Sequence, residues 1–160
     1  MKKNISFESI SITCKEAITK IPDTTIDVVL GISRGGLILA QYLSYLKDVK
    51  DTRSISIQLR DTDITKKEAM NKVKFLIEEI IEDYKHLNRL PVIYFTDDLV
   101  DTGETIDLVR DALALNNLNS KVKVVFIVNY CDSNYIDLKH DDVIYGQKKP
   151  DGWLVFPWDK

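Results

Sequence analysis

The residues best suited to chemistry fall in one stretch, VIYFTDDLVDTGETI, at positions 92–106. Asp97 and Asp98 are adjacent acids that follow the apolar run Val92, Ile93, Tyr94 and Phe95. A third acid, Asp101, stands before Thr102-Gly103-Glu104-Thr105. A glycine among hydroxyl residues at a helix start lets backbone N–H groups converge on an anion, with the positive end of the helix dipole behind them. Thr102 and Thr105 add hydroxyl donors. The acids repel an anion, so they suit other groups: sugar hydroxyls, which donate to carboxylates, or a Mg²⁺ ion that phosphates share. The stretch therefore fits a ligand carrying both a phosphate and a sugar diol, as a phosphorylated ribose does. A capping turn explains one acid, not two at a strand end plus a third before Thr-Gly. A calcium loop needs an oxygen ligand where Leu99 stands.

The elements around this stretch read as strand, loop and helix. The apolar run has the length of a strand buried on both faces, and Leu108, Val109, Ala112 and Leu113 continue with helical spacing. In parallel α/β sheets ligands bind at the carboxyl ends of strands, and this loop stands at such an end. A second strand is expected at 27–32, followed by Ser33-Arg34-Gly35-Gly36 and a helix carrying Leu37, Leu39, Ala40, Leu43 and Leu46. The glycines allow a ligand close to the backbone, and Arg34 adds a planar phosphate fork. Leu37 stands where a Walker A loop has its lysine.

Amphipathic helices are expected at 7–21, stopped by Pro22, and at 69–84. The alternation at 54–59 predicts a half-exposed strand. Residues 121–128 predict another buried strand, with Asn129-Tyr130-Cys131-Asp132 following at its carboxyl end. A short strand at 143–145 and a turn-rich connection at 146–152 complete the pattern. Asp61-Thr62-Asp63-Ile64-Thr65 matches the DxDxT nucleophile loop of some phosphatases. Its strand is only half apolar, however, and Lys66-Lys67 follow where an apolar residue is expected.

The length of 160 residues predicts a single domain, 1–160, with a core that needs no staples. A net charge of −3 with interspersed signs argues against a nucleic-acid clamp or a membrane surface. Cys14 and Cys131 have no paired spacing and read as reduced thiols. With no signal segment and no apolar run of spanning length, a cytoplasmic protein is expected.

Residues 93–105, IYFTDDLVDTGET, resemble the phosphoribosyl pyrophosphate (PRPP) signature of type I phosphoribosyltransferases. Gly31-Ile32-Ser33-Arg34-Gly35-Gly36-Leu37 and Trp153-Leu154-Val155-Phe156-Pro157-Trp158-Asp159 resemble segments of the bacterial xanthine–guanine branch, in the same order. The resemblance implies an α/β fold with a mainly parallel central sheet flanked by helices and a small hood from chain-end segments. It implies transfer of 5-phosphoribosyl from PRPP, with Mg²⁺, to a 6-oxopurine base. Arg34 and Gly35 would grip the pyrophosphate, Asp97 and Asp98 the ribose hydroxyls, and Asp98 the metal directly or through water. Thr102, Gly103, Glu104 and Thr105 would take the 5′-phosphate, with Asp101 the catalytic base near purine N7 as well as a PRPP contact. Trp153 and Leu154 would line the base pocket. Asn129 stands about where that branch has a lysine that reads the 6-oxo group. Trp158 is placed in core or interface, and the resemblance implies a mobile flap in the part of the chain around Asp61 to Thr65, with Arg60, Lys66 and Lys67 as its positive charges. Relatives are commonly dimers or tetramers, so a homo-oligomer is expected. The alternatives are a PRPP-binding regulatory protein, a phosphoribosyltransferase with another acceptor, or the phosphatase, for which Asp61 would be essential.

Overall fold

The computed structural model describes residues 1–60 and 62–159. In chain order its elements are β1 (Lys2–Asn4), α1 (Phe7–Thr19), β2 (Val28–Ile32), α2 (Gly36–Leu46), β3 (Asp51–Ile55) and α3 (Lys66–Asp83). There follow β4 (Val92–Val100), α4 (Glu104–Leu115), β5 (Lys123–Cys131), α5 (Ser133–Asp137), β6 (Val143–Lys148) and β7 (Trp153–Val155). Five strands form a parallel sheet in the order β3-β2-β4-β5-β6. β1 and β7 pair in parallel as a separate two-stranded sheet.

The apolar sequence dictates the layers. β2 is VVLGI and buried at every position, as a central strand covered on both faces must be. On one face Val28, Leu30 and Ile93 pack with Ala69, Val73, Ile77 and Ile80 of α3 and Val109 and Ala112 of α4. On the other, Val29, Tyr94 and Ile127 pack with Ile10, Cys14 and Ala17 of α1 and Leu39, Ala40 and Leu43 of α2. Each such aliphatic side chain contributes roughly 1.5–3 kcal/mol on burial.

The strand order matters for function. From β2 the chain moves outward to β3, then returns to place β4 on β2's other side and continues to β5 and β6. The order therefore reverses between β2 and β4, and a crevice opens outside their carboxyl ends, where α/β sheets bind ligands. The loops entering α2 and α4 both emerge there.

Several expected boundaries shift. β3 ends at Ile55 rather than running through 54–59, because its partner β2 ends at Ile32 and the Ser33 amide caps the pair on the Ile55 carbonyl at 2.9 Å. The alternation continues beyond it without a ladder, with Ile57 buried between exposed Ser56 and Gln58. β4 does not end at Phe95 but carries Asp97 and Asp98 within the strand, held by β5 pairing as far as Val100↔Cys131. β5 likewise runs past Val128, so Asn129, Tyr130 and Cys131 are strand residues. The described helices include none long and apolar enough to cross a membrane.

Candidate functional site

The crevice is floored by glycine. A Cβ on Gly36 would stand 2.1 Å from the Thr96 carbonyl oxygen, and one on Gly35 1.9 Å from Asp98 Oδ2. The glycines let the loop after β2 lie directly on β4, with the Thr96 hydroxyl donating to the Gly36 carbonyl at 2.7 Å. What crowds them is therefore protein, where the sequence suggested a ligand. Arg34 is exposed beside this loop, and its peptide bond with Ser33 is cis.

Helix ends supply the positive poles. Neither Gly35 before α2 nor Gly103 before α4 offers a side-chain cap, unlike Ser6 before α1 and Thr65 before α3. The first-turn amides of both helices thus lack side-chain acceptors at their N-caps, and each end is a ready anion site. Gly103 holds φ +84°, and a Cβ there would meet the Tyr135 ring at 2.3 Å. Only glycine makes that turn against Tyr135. Thr102 and Glu104 are exposed and Thr105 is half-buried.

The acids lie on β4, with Asp98 against Gly35 at the entry to α2 and the loop into α4 following in the chain. Asp97 and Asp98 are both partly buried, and the Asp98 amide donates to Asp97 Oδ1 at 2.9 Å. Burial, and then the neighbouring Asp98 charge, hold the Asp97 carboxyl well above the ordinary carboxylate range. Burial also raises Asp98, against hydrogen bonds from Asp97 and Trp158 that favour its charged form. Two adjacent acids that resist ionising together suit hydroxyl donors or a hard cation. Among the described residues no three His, Cys, Asp or Glu side chains gather as a metal cage. That fits Mg²⁺ only in its usual form, bound through one or two carboxylates with phosphates and water completing the shell.

Asp101 is half-buried and accepts an ion-paired hydrogen bond from Lys149 Nζ at 3.2 Å, which also lies 3.6 Å from Asp132 Oδ2. Lys149 follows β6 directly, in what the sequence presented as a turn-rich connection. A cleft of roughly 410 Å³ beside the Thr102–Glu104 corner is lined by Leu59, Lys66, Thr102, Glu104 and Asp107. Lys66, one of the lysines of the expected flap, faces Asp111 at 3.6 Å. Asp61, on which the phosphatase alternative depends, lies outside the described residues.

Two of the expected base-site residues face elsewhere. Asn129 is fully buried, and its amide donates to Thr13 Oγ1 at 2.9 Å and Cys14 Sγ at 3.1 Å of α1. It lies inside the protein, away from the crevice, because it is a strand residue whose pleat turns it to α1. Leu154 packs in the core with α1 and α2 for the same reason. Trp153, one step along β7, is 56% exposed, and the Arg60 guanidinium lies 5.6 Å from its ring centroid. Two residues outside the expected set belong to the region. One is Lys149. The other is Trp158, whose Nε1–H donates to Asp98 Oδ2 at 3.0 Å.

A mainly parallel sheet covered on both faces, with paired acids at the switch point and a hood from the chain ends, is the type I phosphoribosyltransferase fold. The similar proteins include purine phosphoribosyltransferases. The chain is 27% identical over 131 residues to the xanthine-guanine phosphoribosyltransferase of Cereibacter sphaeroides, covering 82% of this chain and 68% of that protein. The purine phosphoribosyltransferase of Pyrococcus horikoshii superposes with a TM-score of 0.63 at 18% identity, over 99% of this chain and 95% of that one. The Helicobacter pylori xanthine-guanine-hypoxanthine enzyme gives 0.63 at 16%, over 99% and 92%. No protein-family model matches the chain. The resemblance to type I phosphoribosyltransferases read in the sequence is borne out.

Proposed function

We propose that the protein transfers the 5-phosphoribosyl group of PRPP to a 6-oxopurine, giving the nucleoside 5′-monophosphate and pyrophosphate. One observation carries this reading: an adjacent acid pair on β4 lies against Gly35 at the uncapped entry to α2 and leads directly into the uncapped entry to α4 at Gly103. Anion site, diol site and second anion site in that order match pyrophosphate, ribose and 5′-phosphate. The 27% identity to a xanthine-guanine enzyme supports the purine acceptor.

Loss of pyrophosphate from C1 builds positive charge on the ribose, so the chain must hold leaving group and acceptor on opposite sides of it. Arg34 and the Gly35 amide take the pyrophosphate. Asp97 and Asp98 accept from the ribose hydroxyls, and residues 102–105 take the 5′-phosphate on the end of α4. Asp98 would hold Mg²⁺, which when bound neutralises the pyrophosphate charge. Asp101 accepts the proton near N7. With Asn129 buried, Lys149 beside Asp101 supplies a donor and a positive charge on the acceptor side. Trp153 offers its exposed face to the base. A cytoplasmic location, a one-domain chain and a homo-oligomer belong to the same proposal.

The test is turnover of purified protein with PRPP, Mg²⁺ and, separately, xanthine, guanine, hypoxanthine or adenine, following base consumption and pyrophosphate release. Turnover with a 6-oxopurine is expected. PRPP binding without turnover on any base would instead favour another acceptor or a regulatory protein. The Asp97→Asn, Asp98→Asn double variant should lose PRPP binding while remaining folded.

A further inference from the structure

The hood touches the acid pair at one point. Trp158 sits in the turn after β7, 60 residues from the acid it contacts, and its indole N–H donates to Asp98 Oδ2 at 3.0 Å. This is the same oxygen against which Gly35 leaves no room for a Cβ. The carboxylate is thus pinned between the loop entering α2 and the indole, with Oδ2 engaged.

The indole is itself held firmly. Its ring stacks on Phe156 at 5.1 Å between centroids and 6° between planes, and Phe156 packs on Tyr130 of β5 at 6.2 Å. The turn closes on itself in both directions: Asp159 Oδ2 accepts from the Phe156 amide at 2.8 Å, and the Asp159 amide donates to the Phe156 carbonyl at 3.0 Å. A donor so fixed sets the carboxylate plane that an incoming group meets. A donor on a mobile chain could not do this.

We propose that Trp158 is a positioning residue: its N–H orients the Asp98 carboxylate for the phosphoribosyl substrate and makes the C-terminal hood part of that substrate's site. The inference rests on the PRPP reading above.

Trp158→Phe keeps a ring to stack on Phe156 and removes only the N–H. By calorimetry with PRPP and Mg²⁺, its Kd should rise about tenfold, the weight of one hydrogen bond to a charged group. KM for the base should stay within about twofold, and the melting temperature should remain near that of the wild type. A Trp with a merely structural role would lower the melting temperature and leave PRPP affinity unchanged. A second readout needs no change at position 158. The chain has 2 tryptophans, so Trp153→Phe leaves Trp158 as the one tryptophan, excited selectively over the tyrosines at long wavelength. Its fluorescence should shift on titration with PRPP and Mg²⁺. Wild-type protein that binds PRPP, with Trp158→Phe binding it equally and the Trp158 emission unmoved, overturns the inference. Wild-type protein that binds no PRPP overturns the functional reading first.

Discussion

Asp97 illustrates how a functional residue can oppose the fold that holds it. Its carboxyl is raised above the ordinary range by burial and by Asp98, so the native chain binds its proton more tightly than the unfolded chain does. By linkage, stability then falls as pH rises from the unfolded value near 3.8 through the raised native one, and the deficit persists above it. Asp97→Asn should therefore stabilise the protein at pH 7–8, by about 0.5–2 kcal/mol, while abolishing PRPP binding. Below the unfolded pKa the advantage should vanish, which thermal melts across pH would reveal. Lys149→Met should lower kcat/KM for the base by about tenfold through the loss of one ionic hydrogen bond, and steady-state kinetics with base as the varied substrate would measure it. The types of residue in the site were legible, because two acids before a Thr-Gly turn need little context. Their neighbours were not. In a pleated strand, facing alternates at every residue, so a sequence that names Asn129 or Leu154 cannot say whether it faces the crevice or α1. Lys149 and Trp158 reach the site only through pairings of β6 and β7 that no local spacing records.

At the level of elements, patterns legible in sequence were those that a single element writes into its own residues. The helical faces of α1 and α3 are of this kind, and so is the buried run of β2. Element ends depended instead on partners, as the shifts of β3, β4 and β5 illustrate. One end signal was local: Thr65 and Glu68 form a reciprocal capping box at 3.1 and 3.2 Å, so α3 begins at Lys66, ahead of the apolar face by which it was recognised. Thr65→Ala should cost about 0.5–2 kcal/mol, measured by chemical denaturation. Gly36→Ala should behave differently. Its Cβ would meet backbone, the Thr96 carbonyl, which cannot swing aside as a side chain can. About 1–3 kcal/mol of overpacking is expected, together with weaker PRPP binding because the loop carrying Arg34 must lift from β4.

Taken whole, the molecule brings its two ends together to cover its middle. Lys2, Lys3 and Asn4 pair with Trp153, Leu154 and Val155, and the Trp153 amide donates to the Met1 carbonyl at 2.9 Å. Leu154 anchors this small sheet in the core on the α1–α2 side. Alternation then turns Trp153 outward, where Arg60 from the segment after β3 lies over its ring. A hood fastened by one face and free on the other suits a base that must enter and leave between turnovers. If Trp153 is the stacking platform, Trp153→Ala should raise KM for the purine about tenfold, within the 1–3 kcal/mol found for base–aromatic stacking. PRPP affinity should change little, because Trp158, not Trp153, touches Asp98. The opposite split, with PRPP binding lost and purine KM preserved, would place the base elsewhere and leave Trp153 as a strut between the chain ends. Initial-rate kinetics with each substrate varied in turn separates these outcomes.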